Sequence, residues 1–294
     1  MTERDDLNRD DSIWETSTTD VFASFEGDVP ASSRRTSPGR LVRRYLPAVF
    51  AFLAVLLVWE GLTRLFGVES FVLSKPSEIL SSFTETFGVI WGAGMRTLFE
   101  AAGGFVIGTS LAVATSLAAA HWVGFRQGVL PLAIVLNATP IAALAPIFNN
   151  WFGLTNPFSK MAVVAVVVYF PVMINTTRGL LEVDPAELEL MRSLAASPSE
   201  VTRRIRIPGA LPYFFSSLKV ASVLSLIAAI IAEYFGGSQD VLGQYIVNRA
   251  QLFQFPDAWA AILVASMLGV TFYLLILAAE RWLMPWHVSY RATE

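Results

Sequence analysis

The chain has 294 residues, of which 54% are hydrophobic and only 15% charged, with a formal net charge of −3 and a mean hydropathy of +0.54. A soluble domain of this length carries about 25% charged residues, so an ordinary soluble fold and a nucleic-acid-binding surface are both poor fits. No cysteine is present, which excludes a disulfide framework and a thiolate metal site.

The first thirty residues hold nine acids against two arginines and have no apolar core. They read as a disordered acidic tail rather than a secretory signal, with residues 1–44 forming a tail that turns basic toward the membrane. Arg34, Arg35, Arg40, Arg43 and Arg44 then precede the first apolar run. Hydropathy predicts six spans, near 46–66, 97–119, 128–149, 160–178, 212–235 and 258–281, within a membrane domain covering 45–290. No Asp, Glu, Lys or Arg occurs from Gln127 to Ser159 or from Ala258 to Ala279, and a hydrocarbon layer of about 30 Å selects for runs of that kind. Spanning strands would need a closed barrel and polar alternation, which these runs lack. The expected fold is therefore an all-α membrane protein of six transmembrane helices.

The placement of Lys and Arg orients it, with both termini cytoplasmic and the loop after the fourth span also inside. On this topology Arg64, Lys75, Arg96, Lys160 and Arg249 remain outside or at outer ends. Between the first two spans, Ile79, Leu80, Phe83 and Phe87 recur at helical spacing, predicting an amphipathic helix on the outer surface or packed between spans.

The most polar stretch of the second half is "DPAELELMRSLAASPSEVTRRIRIPGALP", Asp184 to Pro212. Asp184-Pro185-Ala186-Glu187 and Ser197-Pro198-Ser199-Glu200 each place a capping residue before Pro with an acid three residues after the cap. Two short helices follow from this, turning at Ala195-Ala196, with Pro208 and Pro212 closing the second before the fifth span. Leu188, Met191 and Ala195 share one face of the first helix, and Val201 and Ile205 pair on the second. Such a pair either packs on its own protein or presents apolar side chains to the groove of a soluble partner.

Polar groups at membrane depth are the candidates for a translocation path: Asn137, Thr139 and Asn149 in or near the third span, Tyr169 and Asn175 in the fourth, and Glu233 at the end of the fifth. The competing explanation for each is hydrogen bonding between helices. Pro140, Pro146 and Pro171 interrupt spans and free backbone groups that can line a cavity. Glu60 and Glu100 sit near span ends, where solvation explains them. Buried acids and internal repeats, the marks of an ion-coupled secondary transporter, are not evident. No residues show metal-ligand spacing, and no phosphate-binding G-x-x-x-x-G-K-[ST] loop occurs.

The 184–212 segment resembles the EAA loop of type I ABC importer permeases: Glu-Ala-Ala, three residues, Gly, nine residues, then Ile-x-Leu-Pro. Glu189 and Pro208 match, Ile207 stands for Leu, Leu190 and Met191 replace the alanines, and Ala195 occupies the Gly position. "SKPSEIL", "TPIAALAPIFNNWFG", "YFPVMINTTRGLLEVDP", "IAEYFGG" and "ERWLMPW" extend the resemblance to nitrate-, sulfonate- and taurine-type permeases from Tyr45 to Tyr290.

The resemblance implies a permease subunit, not an enzyme, which binds no cofactor itself. It would dimerise with a second permease subunit in the cell membrane, accept solute from an external binding protein, and be driven by two cytoplasmic ATPase subunits that hold the ATP. The 182–212 loop would be the coupling piece, with Glu187, Glu189, Met191, Ala195, Ala196, Glu200, Arg203, Arg204 and Pro208 at the contact. Ala195 in place of Gly is expected to meet a need for smallness rather than for a positive φ. The substrate class implied is a pyrimidine-like or riboflavin-like heterocycle, a sulfonate, taurine or nitrate. The lack of cationic residues along the path weighs against a buried anion site.

Overall fold

The computed structural model describes residues 38–284, whose regular structure is helical, with no strand among them. The acidic tail, Arg34 and Arg35, and the terminal segment with Trp286, His287, Tyr290 and Arg291 lie outside the described residues. Ten helices follow in order: α1 Pro38–Leu65, α2 Pro76–His121, α3 Val123–Asn137, α4 Ile141–Phe152, α5 Pro157–Leu181, α6 Pro185–Ser193, α7 Pro198–Val201, α8 Ile207–Tyr234, α9 Leu242–Gln251 and α10 Phe255–Leu283. A π-helical turn, Thr202–Arg206, joins α7 to α8.

Five helical segments are long and apolar enough to cross a membrane: Leu46–Leu65, Pro76–His121, Pro157–Leu181, Pro198–Tyr234 and Phe255–Leu283. The expected third span is not one helix. Pro140 has no N–H to continue the ladder and pushes Thr139 out of the α region. The chain therefore breaks at 138–140 and restarts as α4 with Pro140 as its N-cap, leaving two pieces of 15 and 12 residues. The expected outer helix is not separate either. It is the first part of α2, whose 46 residues extend about 69 Å at 1.5 Å per residue. Pro171 and Pro146 do not interrupt their helices.

The core is built around α5, which packs on α2 and α8. Val163, Val164, Val168, Val172 and Met173 of α5 are fully buried. Small residues permit this close approach. A Cβ on Gly104 would stand 2.6 Å from the Met161 carbonyl oxygen, and one on Gly108 would stand 2.5 Å from that of Ala165. Gly104 and Gly108 thus form the small-xxx-small face that lets membrane helices meet backbone to backbone. Helix α1 is different, with Phe50, Val55, Leu57 and Leu65 exposed along its length. Its links to the body include the Trp59–Trp259 edge contact and Glu60. The Glu60 carboxylate accepts from Ser77 N (3.1 Å) and Ser77 Oγ (2.8 Å), so it caps α2 and is not simply a solvated span end.

Candidate functional site

Helices α5 and α8 run in opposite directions, joined at one end by 182–206. That joining segment is exposed and organised by local bonds. Asp184 caps α6 by accepting from Ala186 N (2.9 Å), though Glu187 does not complete the expected box. Ser197 and Glu200 do form a full capping box, with Glu200 Oε2 accepting from both Ser197 N and Ser197 Oγ at 2.9 Å. At the root of the segment Arg178 donates to Glu182 (2.9 Å) and holds that carboxyl below its ordinary range.

The turn between α6 and α7 corrects the expectation for Ala195. Its φ is +54°, and Ala196 N donates to Met191 O (3.0 Å) while Ala195 N donates to Arg192 O (2.9 Å). This pattern of six-to-one and five-to-two bonds is a Schellman cap with Ala195 at its left-handed position. What the turn requires is therefore a positive φ, which Gly adopts freely and which costs Ala about 1 kcal/mol. Ala195 itself is exposed, so no crowding within the chain restricts its size.

The second helix also departs from expectation. Pro208 and Pro212 do not close it, and the chain continues helically from Pro198 to Tyr234. The π turn, in which Ile207 N reaches back to Thr202 O, widens the helix just before Pro208, where a proline ring would otherwise meet the preceding turn. Glu187, Glu189, Ala195, Glu200, Arg203, Arg204 and Pro208 are exposed, Ala196 is half-buried, and Met191 is buried against the body. Leu190 and Leu194, one helical turn apart, are 60% and 67% exposed. The segment thus offers an apolar pair flanked by charges.

The other end of α5 and α8 carries a second polar region, and it is buried. Lys160, in the first turn of α5, is 1% exposed; Glu233, in the last turn of α8, is 0% exposed; Glu100 of α2 is 6% exposed. Lys160 Nζ donates to Asn149 Oδ1 (3.0 Å) and to the Leu154 carbonyl. Asn149 Nδ2 in turn donates to Phe235 O (3.2 Å). Glu233 Oε2 accepts from Gly243 N (2.6 Å) and Thr97 Oγ1 accepts from Leu242 N (3.0 Å). Both acceptors thereby satisfy the free N–H groups at the start of α9. A Cβ on Gly243 would lie 2.8 Å from Glu233 Oε2, so glycine is what admits the carboxylate.

Of the path candidates, the structure brings Asn149 and Glu233 together in this network. Asn137, Thr139 and Pro140 lie at the break before α4, the opposite end of that helix from Asn149. Asn175 bonds within its own helix, to Pro171 O (2.7 Å), and Tyr169 packs half-buried against the core. Two members of the buried network lie outside the residues expected from sequence. Glu100 is not a solvated span end, Lys160 is a buried cation rather than an outer-mouth charge, and the chain does contain buried acids. Lys219 and Glu280, paired at 2.8 Å between α8 and α10, were missed as well. The available signal was a charge falling inside a predicted span: Glu100 in 97–119, Lys160 at the start of 160–178, Lys219 in 212–235 and Glu280 in 258–281.

Residues 104–286 match the family model described as the binding-protein-dependent transport system inner membrane component. The chain belongs to this family. It is 29% identical over 241 residues to a formylaminopyrimidine transport permease of Halalkalibacterium halodurans, covering 82% of this chain and 95% of that one. A riboflavin transport system permease of Chloroflexus aurantiacus is 27% identical over 237 residues, covering 80% and 88%. A putative aliphatic sulfonates transport permease of Bacillus subtilis is 26% identical over 273 residues, covering 91% and 98%. Among solved structures, a chain of an amino acid ABC transporter superposes with a TM-score of 0.55 at 18% identity, covering 68% of this chain and 96% of that one, a likeness of fold. The protein is thus a multi-pass permease component of an ABC importer of the nitrate, sulfonate and taurine type, with hydrolysis of ATP left to a separate subunit. Its family assembles with ATPase subunits and a solute-binding protein.

Proposed function

We propose that the chain forms the path of a homodimeric importer for a small heterocycle of the pyrimidine class, crossing the cell membrane six times with both termini in the cytoplasm. Segment 182–212 docks the ATPase that binds the ATP, and the residues before the first span lie in the cytoplasm. The observation that carries the coupling assignment is the exposed, doubly capped α6–α7 unit with Leu190 and Leu194 unpartnered at its surface. Helix-in-groove docking uses apolar side chains one turn apart together with flanking charge. The similarity to formylaminopyrimidine and riboflavin permeases favours a heterocycle. In the third crossing, α3 and α4 together do the work of one span, with Asn137, Thr139 and Pro140 at their break. Asn149, Tyr169, Asn175 and Glu233 belong to the same path.

The natural sequence has no cysteine, so each introduced one is unique. A cysteine at Leu194 should cross-link to the co-expressed ATPase subunit, whereas one at Ser81, exposed on α2, should not. Ser81 should instead react with an impermeant thiol reagent from outside intact cells, with a cysteine at Ser199 protected. Cross-linking from Ser81, or labelling of Ser199 in intact cells, would overturn the orientation and the docking together. The ligand co-purifying with the binding protein decides the substrate class.

A further inference from the structure

The buried network contains one donor too few. Glu100 and Glu233 belong to one buried cluster: Thr97, one turn before Glu100 on α2, and Glu233 accept from the adjacent amides of Leu242 and Gly243. One oxygen on each, Glu100 Oε2 and Glu233 Oε1, is buried without a hydrogen-bond partner. Lys160, 1% exposed, is the buried cation at this end of the bundle, and its Nζ already donates to Asn149 and Leu154. Two carboxylates and one ammonium leave an uncompensated negative charge in an apolar interior, where an unpaired charge costs several kcal/mol or more.

The remaining charged groups nearby do not supply the missing positive charge. Arg96 is paired with Asp240 at the surface, and Tyr234 interacts with Glu233 only as a neutral or negative group. Asp257 accepts from Ser82 and pairs with Arg249, and Lys219 is paired with Glu280. Glu100 also lines a cavity of about 400 Å³, together with Arg96, Thr155, Ser238 and Asp240.

We propose that the Glu100–Glu233 pair is a binding site for one proton, reached from this cavity and balanced by Lys160. A single proton on one carboxyl turns that oxygen into a donor to its neighbour. It therefore satisfies both orphan atoms in one bond and brings the cluster of two acids and one lysine to neutrality. A monovalent metal ion would neutralise the charge but would need several further oxygen ligands. Through Glu233 and Thr97 the site touches the start of α9, and through Lys160 and Asn149 it touches α4. Occupancy by the proton thus bears on how α2, α4, α5, α8 and α9 meet at this end of the bundle.

The test is infrared spectroscopy of the full-length permease, purified with its partner subunits, reading the carbonyl stretch of protonated carboxyl groups in H₂O and D₂O. Wild type should show such a band at neutral pH, shifted by deuterium. It should vanish in both Glu100→Gln and Glu233→Gln, because the amide then supplies the donor and the remaining carboxylate pairs with Lys160. Lys160→Met should enlarge the band, since both carboxyl groups then lack a cation. No protonated-carboxyl band in wild type overturns the proposal, and that reading needs no variant to fold. A band unchanged in both Gln variants overturns it as well. Absence of the band combined with thermal stability that depends on Na⁺ or K⁺ would assign the site to a metal ion instead and reject the proton.

Discussion

The 184–206 segment and the Glu100–Lys160–Glu233 network stand at opposite ends of the same two helices, α5 and α8, and rest on opposite physics. The first is held by bonds between residues two to five positions apart, such as Asp184 to Ala186, Ser197 to Glu200 and Ala196 to Met191. Most of its side chains, Leu190 and Leu194 among them, are exposed, with Met191 the buried exception. The second is held by contacts that link residues of α2, α4, α5, α8 and α9, and almost no solvent reaches it. An exposed segment of this kind has to be specified locally, because little of the described chain packs over it. A polar knot inside a membrane body has to be specified globally, because each charge needs its partners delivered by other helices.

That contrast can be broken most severely at the buried end. Lys160→Met removes the only cation among two buried acids, and breaking such a pair typically costs about 3–5 kcal/mol. We expect failed membrane accumulation or a large fall in thermal unfolding temperature in detergent. Adding Glu233→Gln should recover part of the loss, since only one carboxyl then lacks a cation. Gly243→Ala is the next largest. Its Cβ would meet Glu233 Cβ at 2.5 Å, and overpacking of this kind costs about 1–3 kcal/mol, measurable in the same melt.

At the exposed end the effects shrink. Ser197→Ala removes the cap of α7 and should cost about 1 kcal/mol, read as faster amide exchange confined to 197–206. Ala195→Gly relieves the left-handed strain and should stabilise the turn by about 1 kcal/mol, slowing exchange at Ala196. If Ala195→Gly loosened the turn instead, the Schellman geometry would be the wrong account of it.

The difference between the regions also explains what could be read from the sequence. Both caps, the turn position and the exposed acids of 184–206 were legible because their partners are neighbours in the chain. The course of the backbone beyond them was less so. Pro208 and Pro212 suggested a helix end, but a π turn precedes Pro208 and the helix runs on through Pro212. Pro140 did break the third span, where hydropathy averaged over the window saw one continuous apolar run. Glu100 and Lys160 were hidden for a stronger reason. Each lies within a turn or so of a span end, where a lone charge is normally solvated, and only tertiary packing turns both inward against Glu233. Gly104 and Gly108 were likewise just two glycines until α5 was seen lying on them.

The most direct measurement of the central claim is solute uptake alongside ATP hydrolysis in vesicles carrying the complete importer with Glu189→Lys. Glu189 is exposed and sits in α6 beside Leu190, so reversing its charge should leave the fold and the buried network untouched. The account predicts normal membrane accumulation and an unchanged melt, with uptake and solute-stimulated hydrolysis both lost. Wild-type uptake from this variant, with hydrolysis still stimulated by solute, would contradict the assignment of this segment as the point where the ATPase drives the permease.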